Sequence, residues 1–195
     1  MLKFMDVAKK YYSVYALKGV NLTIIPNNLY LFIGENGSGK STTIKLISKV
    51  IFTNDYKTFE NDFKEIIYLP DKRNYPKLLT TLVFLKYYID IDENIIIKYM
   101  DKYNLQNKRI GSLSKGNIQK LGIIQILLSK GDLYLFDEPT DGLDKESIKL
   151  FVEDLKELLS KNKTIIISTH NKNVYKELNP IIYKFNNGVC NEKKK

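Results

Sequence analysis

The chain has 195 residues, 44% of them hydrophobic, which suits one domain with a sizeable buried core. A single cysteine, Cys190, excludes an internal disulfide and fits a reducing compartment, and no apolar stretch is long enough to span a bilayer. The 31 Lys and Arg against 22 Asp and Glu give a net charge of +9, which would suit nucleic acid or an anionic membrane; because the lysines are scattered along the whole chain, we prefer general solvation and attraction of a nucleotide.

The N-terminal segment predicts strands of an antiparallel sheet. Apolar residues alternate with polar ones over residues 2–4 and 20–24, which is typical of half-exposed strands, and a turn is expected at Asn27–Asn28. Tyr11 and Tyr12 lie between these two segments. An aromatic side chain at this point of the chain can stack on a purine ring, although the spacing alone favours ordinary surface or core tyrosines.

The next segment contains a phosphate-binding pattern, Gly, four residues, then Gly-Lys-Ser, preceded by an apolar run and followed by apolar residues at helical spacing. Glycines allow the backbone N–H groups to form a concave nest, and the helix that follows adds its own free N–H groups. Lys40 supplies a cation for the β- and γ-phosphates, and the Ser41 hydroxyl can ligate Mg²⁺. A glycine-rich turn without a ligand is the alternative. The candidate nucleotide-binding residues are Gly34, Glu35, Asn36, Gly37, Ser38, Gly39, Lys40, Ser41 and Thr42.

The middle of the chain changes character twice. Residues 52–64 are polar and weakly patterned, and Ile66–Leu69 is a short buried-strand candidate that stops at Pro70–Asp71. Residues 78–88 and 93–103 then show helical patterns joined by polar segments. We interpret residues from about 72 to 112 as a small helical lobe inserted into the core.

In the C-terminal half, apolar strands again alternate with amphipathic helices. A strong helix is predicted over residues 118–128, a buried strand over 133–136 and another over 164–167. Asp144 is placed to cap the N-terminus of the helix between these strands, and Asn187–Gly188 is a typical hairpin turn. Polar residues follow the strand ends, which is typical of an open α/β sheet with its ligand at the carboxyl edge.

Three polar side chains at this edge have chemistry suited to phosphoryl transfer. Asp137 ends an apolar strand, which is the usual source of a Mg²⁺ ligand, and Glu138 beside it can polarise water as a general base. A solvated turn or a helix cap is the structural alternative for this pair. His170, the only histidine, ends another buried strand. A phosphate contact and a purely structural position are equally supported for it.

Together these motifs resemble the ATP-binding subunit of an ABC transporter over essentially the full chain. Residues 34–41 match the Walker A loop of that family, and residues 135–139 match Walker B with its catalytic glutamate. Residues 141–144 resemble the D-loop, and Thr169–His170 resemble the switch histidine. Residues 113–117 read Leu-Ser-Lys-Gly-Asn and resemble the signature sequence, which is usually Leu-Ser-Gly-Gly-Gln.

The resemblance implies the fold and several residue roles. The fold is an α/β P-loop NTPase core with a mostly parallel sheet, a reduced N-terminal antiparallel β lobe and the inserted helical lobe, all in one domain over residues 1–195. Tyr11 becomes the expected adenine-stacking residue, with Tyr12 as the alternative. Asp71 stands where the family usually has the Q-loop glutamine. Ser114 and Gly116 are expected to contact the ATP of a partner subunit.

The resemblance also implies an activity and partners. Two such domains close around two ATP molecules, with Mg²⁺ held by Ser41, Asp137 and Asp71, the last directly or through a water. Glu138 is expected to be catalytic with His170 and Lys40, and Asp144 to belong to the D-loop.

The expected partners are separate transmembrane permease subunits and a second ATP-binding subunit, in a homodimer or heterodimer, with no specific nucleic acid. The chain is expected to be cytoplasmic, peripheral on the inner face of the cell membrane. Lys115–Gly116, the short chain and the lack of a C-terminal extension favour an exporter. The alternative is a soluble ABC ATPase that acts on nucleic acid or ribosomes.

Overall fold

A computed structural model of the protein describes residues 1–193. Within these residues, no helix is both long and apolar enough to cross a bilayer. Two short 3₁₀ segments cover Ile110–Ser112 and Lys172–Leu178. The strands are β1 (Leu2–Tyr11), β2 (Val14–Ile24), β3 (Leu29–Ile33), β4 (Thr58–Asn61), β5 (Ile66–Leu69), β6 (Leu133–Asp137), β7 (Thr164–Thr169), β8 (Ile181–Asn186) and β9 (Val189–Lys193), and the α-helices are α1 (Lys40–Ile47), α2 (Thr81–Tyr88), α3 (Glu93–Lys102), α4 (Lys115–Leu128) and α5 (Lys145–Ser160).

The larger sheet has six strands in the order β5-β6-β7-β3-β8-β9, and only the last pair is antiparallel. Its central strands β3, β6 and β7 are almost entirely buried, as expected of parallel strands that are covered on both faces. The predicted α/β fold with a mostly parallel sheet is therefore confirmed. The predicted hairpin is present too, since Asn187 and Gly188 both have the positive φ angles that a tight turn requires.

The smaller sheet is antiparallel, with the order β2-β1-β4. Strands β1 and β2 form the predicted lobe, and the predicted turn at Asn27, with φ 63°, leads from this lobe into β3. Strand β4 lies in the segment that showed no strand pattern. It pairs with the other edge of β1, and the Phe59 ring packs 4.5 Å from the Phe4 ring. Its polar residues form a strand because β1 offers a free edge, which a local pattern cannot reveal.

The predicted helical segment contains α2 and α3, which pack on α4 and share an apolar cluster with the main sheet. Helix α2 begins later than the pattern indicated, because Thr80 caps it by accepting a hydrogen bond from the Val83 N–H at 3.4 Å. Lys102 and Tyr103, at the end of α3, reach the buried carboxylate of Asp154 on α5 at 2.5 and 2.6 Å. This contact fastens the helical segment to the core.

The strand order brings the polar strand ends together. Strand β7 lies between β6 and β3, with Asp137 opposite Ser168 and Ile33 opposite Thr169 in the parallel register. The chain leaves all three strands at the same edge of the sheet. This edge therefore carries the glycine-rich loop after β3, Glu138 after β6 and His170 after β7.

Candidate active site

The glycine-rich loop folds back between the hairpin of the main sheet and the antiparallel lobe. A Cβ on Gly34 would collide with the carbonyl oxygen of Phe185, and one on Gly39 would lie 2.7 Å from Leu17 Cδ2. Gly39 also has φ 109°, which side chains rarely adopt. The Gly188 N–H donates to the Ser38 carbonyl oxygen at 3.0 Å, so that the hairpin holds the loop from outside. The glycines are thus required by close packing as well as by curvature.

Lys40 and Ser38 present polar atoms to the inside of this loop. The Lys40 ammonium donates to the carbonyl oxygens of Gly34 and Glu35 at 2.8 and 3.0 Å. The Ser38 hydroxyl is buried and has no hydrogen-bond partner within residues 1–193. A buried hydroxyl without a partner is costly unless a ligand supplies one. This loop therefore fits an anionic group such as a phosphate.

Asp137 lies at the base of the site and is almost fully buried. The Ser41 hydroxyl donates to Asp137 Oδ1 at 2.9 Å, and the Ser168 hydroxyl donates to the same oxygen. A hydroxyl and a carboxylate side by side are the hard oxygen ligands that Mg²⁺ prefers, and Mg²⁺ usually takes only one or two carboxylates with phosphates and waters. The pair fits magnesium, although residues 1–193 contain no cluster of three acidic, histidine or cysteine ligands.

Glu138 follows Asp137 in a strained backbone conformation. Its φ of 48° is unusual for a residue with a side chain, and its N–H donates to the Ser168 carbonyl oxygen at 3.1 Å, which helps to hold it there. His170 Nδ1 lies 3.1 Å from Glu138 Oε2. Burial raises the pKa of Glu138 above its usual range, while His170 and Lys40 pull the pKa back down. The carboxylate is therefore more basic than an ordinary surface glutamate.

A cavity of about 330 Å³ is lined by the glycine-rich loop and by Glu138. Tyr11 and Asp71 also line it. Tyr12 is the wrong candidate for this cavity: it is fully exposed at the tip of the β1–β2 turn, with φ 52°. Gly34, Glu35 and His170 line a neighbouring cavity of about 460 Å³. The other loop residues that line the first cavity are Asn36, Gly37, Ser38, Gly39, Lys40, Ser41 and Thr42.

Ser114 and Gly116 lie outside both cavities, at the start of α4. The Ser114 hydroxyl caps the helix by accepting from the Asn117 N–H at 3.3 Å. A Cβ on Gly116 would lie 2.7 Å from the Gly142 carbonyl oxygen, so that α4 and the loop after β6 are in close contact. These residues do not reach the phosphate loop of their own chain.

Asp144 has a clear local role, as predicted for a helix cap. Its carboxylate accepts from the N–H and the hydroxyl of Ser147 at 2.8 and 3.0 Å, and it pairs with Lys120 at 3.0 Å. These contacts, first the Ser147 N–H, hold the pKa of Asp144 well below its usual range. Asp144 starts α5 and belongs to neither cavity.

A polar connection that the sequence did not indicate runs behind the site. Arg73 donates to the Asp71 carbonyl oxygen at 3.2 Å and to Gln119 on α4, and Gln119 donates to the Pro139 carbonyl oxygen at 2.5 Å. It links the loop that carries Asp71 to the loop that carries Glu138. In the sequence Gln119 stands next to Lys120 and close to Asn117, so no local pattern distinguishes it from an ordinary exposed residue.

A family model described as "ABC transporter" matches residues 17–141. The uncharacterized ABC transporter ATP-binding protein YhaQ of Bacillus subtilis (strain 168) is 29% identical over 195 residues, which cover 91% of this chain and 65% of that protein. The cytochrome c biogenesis ATP-binding export protein CcmA of Reclinomonas americana is 31% identical and covers 78% of this chain and 77% of its own length. The zinc import ATP-binding protein ZnuC of Buchnera aphidicola (subsp. Baizongia pistaciae, strain Bp) is 28% identical and covers 89% and 76%.

Among solved structures, the chain is similar to the dimeric post-hydrolysis state of the ATP-binding cassette MJ0796 bound to ADP and Pi. The TM-score is 0.85 at 25% identity, and the alignment covers 100% of this chain and 98% of that one. The chain spans less than two thirds of the length of the Bacillus relative.

Proposed function

The chain belongs to the ABC transporter family as one of its ATP-binding ATPase domains, and we propose that it hydrolyses ATP to drive a membrane transporter through ATP-dependent closure of a dimer. The observation that carries this proposal is the grouping of Lys40, Ser41, Asp137, Glu138 and His170 at one sheet edge. We treat residues 1–195 as a single domain with residues 72–112 as its helical lobe.

In this proposal one cavity binds both the adenine and the phosphates of ATP. Tyr11, 40% exposed at the rim, offers a ring face on which adenine stacks. The loop N–H groups, the Ser38 hydroxyl and Lys40 bind the phosphates. Ser41 and Asp137 would hold Mg²⁺, and Asp71 contributes directly or through a water. Magnesium held there would offset negative charge on the phosphates.

Glu138 is the general base of the proposed reaction. Its carboxylate accepts a proton from the attacking water, whose oxygen forms a bond to the γ-phosphorus. The bond between that phosphorus and the oxygen of ADP breaks, and ADP leaves. The raised pKa of Glu138 makes it a better proton acceptor near neutral pH. His170 positions the carboxylate through Oε2 and lies beside Gly34, where it can also contact the γ-phosphate.

A second ATP-binding subunit completes the site. Ser114 and Gly116 do not line the cavity of their own chain, which supports a contact with the ATP of the partner. Asp144 follows the loop that meets Gly116. The partner is a second copy or a related subunit, in a homodimer or heterodimer. The dimeric state of the similar cassette supports this arrangement.

Separate transmembrane permease subunits are the second kind of partner. The face around α2 exposes large apolar side chains, Leu78, Val83, Tyr87 and Tyr88, which suit a contact with such a subunit. The domain would then lie in the cytoplasm on the inner face of the cell membrane. Relatives named for export and for import are both similar to the chain. We favour export because of the Lys115–Gly116 sequence, and the membrane partner would select the cargo.

The substitution Glu138→Gln tests this function, because it keeps the shape of the side chain and removes the base. We expect hydrolysis to fall at least a hundredfold while ATP and Mg²⁺ convert the variant into a dimer on size-exclusion chromatography with light scattering. Hydrolysis at the normal rate would refute the role of Glu138. Stimulation of the parent by RNA at physiological salt would favour the alternative, an ATPase that acts on nucleic acid or ribosomes.

A further inference from the structure

Lys115 is an exposed cation between the two residues that we assign to the partner's ATP. It is the first residue of α4, directly after Ser114 and before Gly116, and its side chain is 72% exposed. Its ammonium pairs with one group, Asp141 Oδ2, at 2.6 Å. None of the roles proposed above uses this side chain.

The stem of Lys115 lies along the loop that carries Asp141. A Cβ on Gly142 would lie 3.4 to 3.6 Å from the Cδ, Cγ and Cε atoms of Lys115. The stem of Lys115 thus passes over Gly142, where a larger residue would touch it, and one carboxylate of the same loop holds the ammonium. An ion pair with both partners this exposed contributes little to stability, so it can exchange readily for a stronger one.

The next basic residue of the helix cannot take this role. The Lys120 side chain is largely buried, and its ammonium pairs with Asp144 at 3.0 Å, the residue that caps α5. Lys115 in contrast stays charged, because Asp141, and to a smaller degree Asp71, raise its pKa.

We propose that Lys115 exchanges Asp141 for the γ-phosphate of the ATP bound by the partner subunit when the dimer closes. This inference rests on the proposed function, since it needs a closed dimer. A γ-phosphate carries more negative charge than a carboxylate, and closure excludes water from it, so the charge-assisted contact with phosphate is the stronger one. The Lys115 ammonium would then lie between the incoming phosphate and the negative charge of Asp141.

Two single substitutions distinguish a contact with the partner's phosphate from an ion pair that only holds α4 to the loop within one subunit. Both are made in the Glu138→Gln protein, and the dissociation constant of its ATP-bound dimer is measured by light scattering over a dilution series. With Lys115→Met we expect dimerisation to weaken roughly tenfold for each site, hence on the order of a hundredfold for a dimer with two sites. With Asp141→Asn we expect an equal or tighter dimer, because the ammonium is released. A lock between α4 and the loop would instead make both substitutions weaken the dimer alike.

Three controls accompany these variants. Lys115→Arg keeps the charge and should stay within about threefold of the parent dimer. Lys161→Met removes a cation from another exposed pair, Lys161 with Glu157, and should leave the dimer unchanged. The affinity of the single subunit for ATP, measured below the dimerisation range, should be the same with Lys115 or Met, because the contact is made to the partner's nucleotide.

The outcomes are distinct. A Lys115→Met protein that dimerises like its parent overturns the role of Lys115 alone, and so does an Asp141→Asn protein that is weakened as much as Lys115→Met. A Glu138→Gln parent that stays monomeric with ATP and Mg²⁺ overturns the proposed dimer and this role with it. That failure is visible before Lys115 is changed.

Discussion

The buried contact of Asp154 with Lys102 and Tyr103 should be a main source of cohesion between the helical segment and the core. The Asp154 carboxylate is 1% exposed, its two oxygens accept from the two side chains at 2.5 and 2.6 Å, and Lys102 is 32% exposed. Removal of either donor leaves a charged acceptor under-satisfied in a buried place. Burial and the negative charge of Asp154 raise the pKa of Tyr103, which therefore stays a donor.

The expected losses of unfolding free energy follow from these exposures. Tyr103→Phe removes one hydrogen bond to a charged group, which costs about 1.5–3 kcal/mol. Lys102→Met removes the counter-ion; this costs about 3–5 kcal/mol for a fully buried pair, and we expect about 2–3 kcal/mol because Lys102 is partly solvated. The triple variant Lys102→Met, Tyr103→Phe, Asp154→Leu should be less destabilised than Lys102→Met alone, because no buried charge is left.

The assay is unfolding by denaturant. The free energies of unfolding of the variants are compared with one common slope against denaturant concentration. Lys156→Met is the matched control, since Lys156 pairs with Glu177 at 3.1 Å from the same helix but on the surface, and it should cost less than about 1 kcal/mol. Nucleotide affinity under native conditions should not change in any of these variants. If Lys102→Met were no more destabilised than Lys156→Met, the contact would not hold the helices to the core and our reasoning would be refuted.

Two further predictions concern the aspartates at the loop ends. Asp71→Ala should slow steady-state hydrolysis about tenfold, which is less than the loss of a direct base, and should leave nucleotide affinity nearly unchanged. Asp71→Gln should be tolerated. Both are measured with the membrane partner present, and full activity of Asp71→Ala would make Asp71 an ordinary loop residue. Asp144→Ala should cost about 1 kcal/mol of unfolding free energy through the lost cap, with Asp144→Asn closer to the parent. Because the pKa of Asp144 is lowered in the folded protein, this contribution is present near neutral pH and is lost as pH falls through that lowered pKa, so unfolding midpoints of parent and Asp144→Ala should converge in acid.

Features that depend on neighbours in the chain could be predicted from the sequence. The loop between β3 and α1 needs glycine at position 39, where φ is 109°, and the spacing of Gly, Lys and Ser predicts this turn before a helix. Asp144 caps α5 three residues ahead, and Asn187–Gly188 turns a hairpin, both through local geometry. The strand ends at Asp137 and Thr169 follow from apolar runs that stop at polar residues.

The tertiary structure alone decided the features that join distant segments. Strand β4 forms because it pairs with an edge of β1 that β2 leaves free. The residues of β4 do not themselves indicate which strand they pair with. Tyr11 faces the cavity and Tyr12 faces solvent because the turn of one hairpin places adjacent residues on opposite sides, although their sequence positions look equivalent. Asp154 can be buried because the end of α3 brings Lys102 and Tyr103 to it. From the sequence alone, a carboxylate on an amphipathic helix is predicted to be exposed. The donors that offset the cost of burying Asp154 lie about fifty positions away in the chain, so the local pattern does not show them.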